Sequence, residues 1–222
     1  MKTSIILLRC DFNNELYELT KAAVATLKAD QQILIDNAST VGEIKDWADI
    51  YVKNKTNLGY PAAVNQGFKL SNGDIIFVAN NDLLVSVNAI EITKNIFKDN
   101  PRVGMVHYRM LKYDEPDFYG LDTWINDKQR WAHASFYAIR KEAIPEGGYD
   151  ETYAAGGFDD WDFQNCVRHI NGWQMAYTNK AFFKHKDSST YLALDKKEGG
   201  RSTRDLINRE YFKHKFNEYP ED

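Results

Sequence analysis

Short apolar runs alternate with amphipathic segments along the first half of the chain. The runs are rich in β-branched and aromatic residues and too short for buried helices, so they predict strands. Between them, apolar residues recur at intervals of three and four, which predicts helices. The predicted strands are residues 4–8, 32–35, 50–52 and 75–79, and the predicted helices are residues 15–27 and 61–70, with a short helix or turn at 43–48.

The second half continues the alternation but contains one long irregular stretch. Residues 111–128 lose their periodicity and contain several Asp residues, a Pro and a Gly, which predicts a loop with little regular structure. Helices are predicted at residues 88–98, 156–170 and 204–216, and strands at 103–110, 131–140, 173–178 and 181–185.

Strands and helices in this rhythm predict an α/β fold with a mixed, mostly parallel sheet flanked by helices. Right-handed crossovers carry the loops after successive parallel strands to one edge of the sheet. Residues 9–13, 36–40 and 80–82 should therefore meet at the carboxyl ends of their strands, where such sheets bind ligands. We expect residues 1–100 and 101–195 to be two halves of one domain, followed by a basic, partly helical tail at 196–222.

Composition places the chain among globular proteins and removes several function classes. Hydrophobic residues make up 43% of the 222, enough for a sizeable core without disulfides or structural metal. The net charge of −4 gives no overall attraction to nucleic acid or anionic membranes. No apolar run suits a signal peptide or a membrane span. Cys10 and Cys166 are far apart in the sequence, so we expect a cytoplasmic protein with two reduced, buried thiols.

Polar side chains with metal- or ligand-binding chemistry follow two of the predicted strands. Asn80, Asn81 and Asp82 come after the strand at 75–79, and Asp36 comes after the strand at 32–35. A carboxylate in such a place can hold a divalent cation, and the cation can neutralise a diphosphate. The same residues are also good turn formers, so an ordinary turn is the alternative at each position.

Three carboxylates open the predicted helix at 156–170. The helix dipole favours anions in a first turn, which is a structural reason for Asp159, Asp160 and Asp162. Three acids within four residues also repel one another, which favours a functional site and leaves Asp162 as the structural member. His185 is a competent metal ligand by its chemistry and an ordinary surface or core residue by the alternative interpretation.

Five segments occur in an order that is typical of one enzyme family. They are a strand ending in Asp36-Asn37-Ala38-Ser39, an Asn-x-Gly and Asn-x-Gly pair within residues 57–67, Asn80-Asn81-Asp82 in place of Asp-x-Asp, Asp159-Asp160-Trp161-Asp162 in place of Glu-Asp-x-Asp, and His185 followed by Ser188 and Ser189. Together they resemble the family 2 glycosyltransferases over nearly the whole chain. The resemblance implies a GT-A fold, with residues 1–100 as the nucleotide-sugar-binding half and 101–195 as the acceptor-binding, catalytic half.

The resemblance also implies a reaction and roles for individual residues. The reaction is the inverting transfer of a sugar from a nucleotide-diphosphate donor, a UDP-sugar, to an acceptor hydroxyl. Asp160 would be the general base, and Asp82 and His185 would bind Mn²⁺ or Mg²⁺ on the diphosphate. The implied donor-binding residues are Arg9, Asp11, Asp36, Asn57, Gly59, Asn65, Asn80 and Asn81. The acceptor-side candidates are Trp131, His133, Asp159 and Trp161.

Three positions depart from the family pattern. The first loop reads Arg9-Cys10-Asp11-Phe12-Asn13 where Pro-x-Tyr-Asn is usual, Asp159 replaces Glu, and Asn80 replaces the first Asp of the metal motif. Because Asn80 lowers the negative charge, a non-catalytic nucleotide-sugar or glycan-binding protein of the same fold is an alternative. A sugar-1-phosphate nucleotidyltransferase ranks lower, since it needs a Gly-rich loop after the first strand and residues 9–14 contain no Gly.

The expected partners follow from the same assignment. They are the donor and an acceptor with a free hydroxyl, whether a glycan, a lipid-linked molecule, a polymer or a nucleic acid, and a homo-oligomer is compatible with the sequence. The basic tail fits either a polyanion or a solvated amphipathic helix. No integral membrane segment is expected.

Overall fold

Nine strands form one mixed sheet in the computed structural model, which describes residues 1–126, 134–153, 157–186 and 201–217. The strands are β1 (Thr3–Arg9), β2 (Gln31–Asp36), β3 (Ile50–Lys53), β4 (Ile75–Asn80), β5 (Leu83–Val85), β6 (Val103–Lys112), β7 (Thr123–Ile125), β8 (Phe136–Arg140) and β9 (Gln174–His185). Their order is β3-β2-β1-β4-β8-β6-β9-β5, and β7 pairs with β9. Strands β1 to β4, β6 and β9 share one direction, and β5, β7 and β8 oppose it. The predicted mixed, mostly parallel sheet is confirmed.

The helices lie close to their predicted positions. They are α1 (Asn14–Thr26), α2 (Tyr60–Leu70), α3 (Ala89–Asp99), α4 (Asp159–Asn165), which continues as a π-helical turn at Cys166–Ile170, and α5 (Arg201–Phe216). Asn13 caps α1 by accepting from the backbone N of Leu16 at 2.9 Å, and Pro61 occupies the first turn of α2, where its missing N–H costs nothing. Within the described ranges, none of these helices is long and apolar enough to cross a membrane.

The central strand β4 is buried on both faces, as its continuous apolar run predicts. Successive side chains of a strand point to opposite faces, so the same strand contributes to two cores. Phe77 packs in one core with Phe97 of α3, and Val78 packs in the other with Val64 of α2. Helices on both faces therefore hold β4 in the middle of the sheet, and the residues that follow it emerge at the edge where β1 and β2 also end.

Three strands differ from the sequence prediction. Strand β7 lies within residues 111–128, which the pattern predicts as irregular, and β5 lies just beyond β4 where no strand is predicted. Strand β9 runs without a break through two predicted strands, with a change of register opposite Tyr108 and Arg109. A three-residue strand offers too few positions for a period to appear, and both short strands owe their form to pairing with β9.

The turn before residue 150 is fastened to α2 by Asn65. Its Nδ2 donates to the backbone O of Tyr149 at 2.9 Å, and its Oδ1 accepts from the backbone N of Tyr149 at 2.8 Å. Gly148 precedes Tyr149 with φ +78°, and a Cβ on Gly148 would lie 2.2 Å from Oδ1 of Asn65. The turn therefore needs Gly148 both for its backbone conformation and for the space beside Asn65.

Gly148→Ala is expected to lower the free energy of unfolding by about 2 to 4 kcal/mol, since it adds a clash to a strained conformation. Gly147→Ala is the matched control: φ is +84° and nothing lies within 4 Å of the added Cβ, so only the conformational cost, about 1 kcal/mol, is expected. Urea unfolding of both variants measures the two losses. Equal losses in the two variants would mean that the clash of the added Cβ with Asn65 costs no stability.

Candidate active site

Asp82 and His185 are brought together by the pairing of β5 with β9. Leu83 at the start of β5 is in register with His185, so Asp82 lies beside the imidazole. Nε2 of His185 is 3.0 Å from Oδ1 of Asp82, and the backbone N of Lys186 donates to the backbone O of Asp82 at 3.0 Å. Two residues that are distant in sequence thus form one carboxylate–imidazole pair at the end of the central strand.

A buried charged network joins the loops after β1, β2 and β4. Nε of Arg9 donates to Oδ2 of Asp11 at 2.8 Å, and Nη1 of Arg9 lies 3.7 Å from Oδ2 of Asp36. Nδ2 of Asn81 donates to Oδ1 of Asp11 at 2.6 Å. None of these four residues is more than 5% exposed. The three loops meet as predicted. The polar groups of the four side chains, however, contact one another inside the protein, and none of the four side chains reaches the surface.

Asp36 in particular holds its own loop. Its Oδ1 accepts from the backbone N of Ser39 at 2.7 Å, and its Oδ2 accepts from the hydroxyl of Tyr51 at 2.9 Å. Ala38, which lies between Asp36 and Ser39 in the sequence, takes a left-handed conformation with φ +71°, which is unusual for a residue with a Cβ. Asp36 therefore makes the turn contacts that the sequence offers as its alternative role. Its carboxylate is fully buried and does not reach the surface in this conformation.

Asn57, Gly59 and Asn80 are the accessible members of the predicted donor-binding set. Asn57 is exposed, whereas Gly59 and Asn80 are partly exposed. Asn37 organises the first two, because its Nδ2 donates to Oδ1 of Asn57 at 2.7 Å and to the backbone O of Gly59 at 3.2 Å. Gly59 has φ +83° and immediately precedes α2, whose first N–H groups point towards this edge. These positions offer amides and a helix N-terminus on the open side of the sheet edge.

Cys10 lies among the same residues. Its Sγ is 3.6 Å from Nδ2 of Asn57, and the residue is partly exposed, whereas the prediction places both thiols in the interior; Cys166 is buried as expected. Burial and then the negative charges of Asp11 and Asp36 raise the pKa of Cys10 to about 11. The thiol is therefore protonated at neutral pH and acts as a small polar group.

The remaining predicted residues separate into two kinds. Asn65 is buried and its amide is taken up by the turn at Tyr149, so its contacts are those of a packing residue. Trp131 and His133, the two acceptor-side candidates on the chain before β8, lie outside the described residues.

Asp159 and Asp160 begin α4, directly after Phe158 in a left-handed conformation with φ +67°. Oδ1 of Asp160 accepts from the backbone N of Trp161 at 2.9 Å, and both of these residues are partly exposed. Asp159 is buried, and burial together with the neighbouring charge of Asp160 raises its pKa to about 7. The first turn therefore presents one accessible carboxylate, that of Asp160, beside a second one that is partly protonated near neutral pH.

Tyr60 locates this turn relative to the rest of the site. Tyr60 is the first residue of α2, and its ring packs edge-on against Tyr149 with centroids 5.6 Å apart. Tyr149 in turn stacks on Phe163 of α4 with centroids 4.0 Å apart. Helix α4 therefore lies next to the start of α2.

Asp162 differs from its two neighbours. Its Oδ2 accepts from the hydroxyl of Tyr153 at 3.1 Å and lies 2.8 Å from Nζ of Lys215 in α5. The predicted structural role of Asp162 agrees with these contacts. Lys215 is one of several supporting residues that sequence reasoning misses, together with Thr20, which donates to Asp11, and Tyr51, because each belongs to a distant element and no local pattern marks it.

Asp159 makes stability depend on pH. Its folded-state pKa of about 7 lies above the ordinary value of 3.8, so the folded protein binds more protons between these values and stability falls as pH rises through them. Between about pH 4 and about pH 8, the free energy of unfolding is expected to fall by about 2 kcal/mol less in Asp159→Asn than in the wild type. Relative to the wild type, the variant therefore becomes more stable as the pH rises. Urea unfolding across this range measures it. A difference between variant and wild type that is constant with pH would mean that Asp159 is ionised throughout.

The sequence model of glycosyl transferase family 2 matches residues 6–162. The chain belongs to glycosyl transferase family 2. The match runs from β1 into α4 and includes Asp36, Asp82 and Asp160. The protein is therefore a glycosyltransferase, and the family assignment made from short segments is confirmed. No curated protein matches the sequence at a significant level.

Solved structures extend the likeness beyond the matched region. A fragment of S. aureus TarS, residues 1–349, aligns with a TM-score of 0.66 at 12% identity over 98% of this chain and 72% of that one. The mannosyltransferase PcManGT from Pyrobaculum calidifontis, in complex with GDP-Man and Mn²⁺, aligns with a TM-score of 0.67 at 16% identity over 99% of this chain and 66% of that one. GalNAc-T7 with UDP, GalNAc and Mn²⁺ aligns with a TM-score of 0.62 at 13% identity over 83% of this chain and 44% of that one. At these identities the likeness establishes the GT-A fold, and this family 2 chain spans 44% of a longer TarS structure.

Proposed function

We propose that this family 2 glycosyltransferase transfers a sugar from a UDP-sugar to an acceptor hydroxyl with inversion at the anomeric carbon. The observation that carries the proposal is the 3.0 Å contact of Asp82 with His185 at the end of β4. It joins a carboxylate and an imidazole at the sheet edge where α/β folds bind their ligands. The chain is proposed to act in the cytoplasm, on the classes of hydroxyl acceptor named above.

Asp82 and His185 suit a divalent metal on the donor diphosphate. A carboxylate oxygen and an imidazole nitrogen are both ligands that Mn²⁺ accepts. Within the described ranges no three His, Cys, Asp or Glu side chains gather into a metal-binding group, so diphosphate oxygens and water would complete the coordination. A bound cation offsets the negative charge of the leaving diphosphate. The structures of two of the structural neighbours, GalNAc-T7 and PcManGT, contain Mn²⁺, which supports this choice.

The donor is proposed to contact Asn57, Gly59 and Asn80, the accessible members of the predicted set. The buried members Arg9, Asp11, Asp36 and Asn81 are proposed to position the loops from which these contacts are made. Removing a partner from such a buried charge network leaves an uncompensated charge, so the network resists rearrangement. TarS has been crystallised with UDP and with UDP-GlcNAc, which supports a uridine nucleotide here, while GDP-Man in PcManGT makes GDP-sugars the competing class.

Asp160 is proposed to take the proton of the acceptor hydroxyl. The acceptor oxygen forms a bond to the anomeric carbon as the bond from that carbon to the diphosphate oxygen breaks. The nucleoside diphosphate leaves with the electron pair, and attack from the opposite side inverts the carbon. Asp160 is partly exposed, as a base that meets its substrate must be, and the adjoining indole of Trp161 offers a flat apolar surface for an acceptor ring. Asp159, in the same turn, is buried.

The test is a panel of UDP- and GDP-sugars incubated with the protein, Mn²⁺ and a mixture of glycan, lipid-linked, polymer and nucleic-acid acceptors, with release of the nucleoside diphosphate as the readout. We expect release from a UDP-sugar, loss of release when EDTA is added, and recovery when Mn²⁺ is restored. NMR of the sugar product reports the anomeric configuration. Binding of UDP without turnover of any donor would reject the transferase in favour of a binding protein. Retention of configuration would reject the inverting mechanism.

A further inference from the structure

Helix α5 contacts the segment that carries Asp160 along much of its length. Nδ2 of Asn208 donates to the backbone O of Gly157 at 3.0 Å. The ring of Phe212 is fully buried and packs against Phe158, with ring centroids 6.2 Å apart. The residues contacted, Gly157 and Phe158, immediately precede α4 and the two carboxylates of its first turn.

Lys215 joins the start of α4 to the turn at residue 150 that precedes it in the chain. Its Nζ lies 2.8 Å from Oδ2 of Asp150, before the segment, and 2.8 Å from Oδ2 of Asp162, within α4. Tyr211, one helical turn earlier, donates its hydroxyl to Oδ2 of Asp150 at 2.9 Å and packs edge-on against Tyr153. One cation from the end of α5 is thus shared by two carboxylates that are twelve residues apart in sequence.

The charge of Lys215 is required by its surroundings. Burial raises the pKa of Asp162, and the hydrogen bond and positive charge of Lys215 oppose that rise. Burial lowers the pKa of Lys215, but its hydrogen bonds to Asp150 and Asp162 outweigh this effect and raise the pKa overall. The ammonium group therefore stays charged, and its side chain is only 29% exposed. Without it, Asp162 would be a buried carboxylate with no countercharge among the contacts described above.

The local backbone explains why the position of Asp162 matters for Asp160. The backbone N of Asp162 donates to the backbone O of Phe158 at 2.9 Å, which closes the first turn of α4 around Asp159 and Asp160. Phe158 holds a left-handed conformation, which an aromatic residue keeps only when its surroundings fix it. Contacts with α5 hold this turn at Gly157 and Phe158 on one side and at Asp162 on the other.

We propose that Lys215 is a positioning residue for the general base, and that it fixes the first turn of α4, with Asp160, by binding Asp162 and Asp150 together. The inference rests on the proposed function, in which Asp160 is the base. It gives the end of the basic tail a role in positioning the general base, whereas the sequence indicates only a polyanion contact or a solvated helix. A base displaced by about 1 Å loses on the order of 100-fold in rate, while donor binding at the other loops is unaffected.

The experiment compares Lys215→Met with Lys98→Met, an exposed lysine in the last turn of α3, as the matched control. For Lys215→Met we expect kcat with the best donor of the panel to fall by about 10- to 100-fold, with the Kd for UDP and Mn²⁺ within about twofold of wild type. Lys98→Met should match wild type in both. Lys215→Arg keeps the cation and should recover most of kcat. Hydrogen exchange should speed up at residues 157–162 in Lys215→Met alone.

A second variant separates positioning from loss of folding. Asp162→Asn added to Lys215→Met removes the uncompensated buried carboxylate, so the double variant should unfold at a higher temperature than Lys215→Met while kcat stays low. Unchanged kcat or unchanged exchange at 157–162 in Lys215→Met would overturn the inference. Loss of kcat in Asp160→Asn with wild-type kcat in Lys215→Met would overturn it and leave the proposed function standing. No turnover in wild type would overturn both.

Discussion

Asp160→Asn is expected to reduce sugar transfer by about 1000-fold while donor binding persists, the range in which general bases contribute. The amide keeps the size of the carboxylate and its oxygen can still accept from the backbone N of Trp161, so α4 should begin at the same place. What is lost is the ability to take a proton from the acceptor hydroxyl. Steady-state turnover and titration with UDP and Mn²⁺ measure the two quantities separately.

Asp99→Asn is a suitable control, since Asp99 is exposed at the end of α3 and far in sequence from every proposed site residue. It removes the same charge from the protein and should leave turnover unchanged. If Asp160→Asn retained more than about a tenth of wild-type turnover, Asp160 would not be the base. Loss of UDP binding in the same variant would instead place Asp160 in the donor site.

The elements that sequence predicts well are those whose pattern is local. Strand β4 and helices α1 and α2 have enough consecutive positions for their periods to appear, and their cores form from those same positions. Strand β5 has three residues and no period of its own. It exists because β9, about a hundred residues later, offers an edge for it, and that edge is formed only in the folded protein.

The site follows the same division. That the loops after β1, β2 and β4 converge is a consequence of parallel strands and right-handed crossovers, so it is predictable. Which of their side chains face a ligand is not, because it depends on tertiary partners. The carboxylate of Asp36 accepts hydrogen bonds from Ser39 and Tyr51, and the guanidinium of Arg9 lies between the carboxylates of Asp11 and Asp36. The segment pattern predicts that these positions come together, and they do, but it does not separate residues that hold the loops from residues that are exposed to solvent at the sheet edge.

The contact of Asp82 with His185 also bears on the departure at Asn80. In the proposed metal site, an amide in place of the first carboxylate of the motif would leave Asp82 as the acidic ligand, with His185 beside it. A site with one carboxylate and one imidazole has modest affinity for a hard divalent cation by itself, and the diphosphate adds the missing negative charge and oxygen ligands. Metal binding and donor binding are therefore expected to depend on each other.

Asp82→Ala is accordingly expected to abolish Mn²⁺-dependent transfer, with a loss of at least about 100-fold, because the leaving diphosphate loses the cation that offsets its charge. His185→Ala should act in the same direction. Since both residues would hold one ion, the double variant should be little worse than either single variant, which is the non-additivity of a shared site. Turnover is measured against Mn²⁺ concentration, and calorimetric titration of Mn²⁺ in the presence of UDP reports metal binding directly. Because Asp82 is buried, circular dichroism is used to check that Asp82→Ala is folded. Retained Mn²⁺ dependence in Asp82→Ala, or additive losses in the double variant, would place the metal elsewhere.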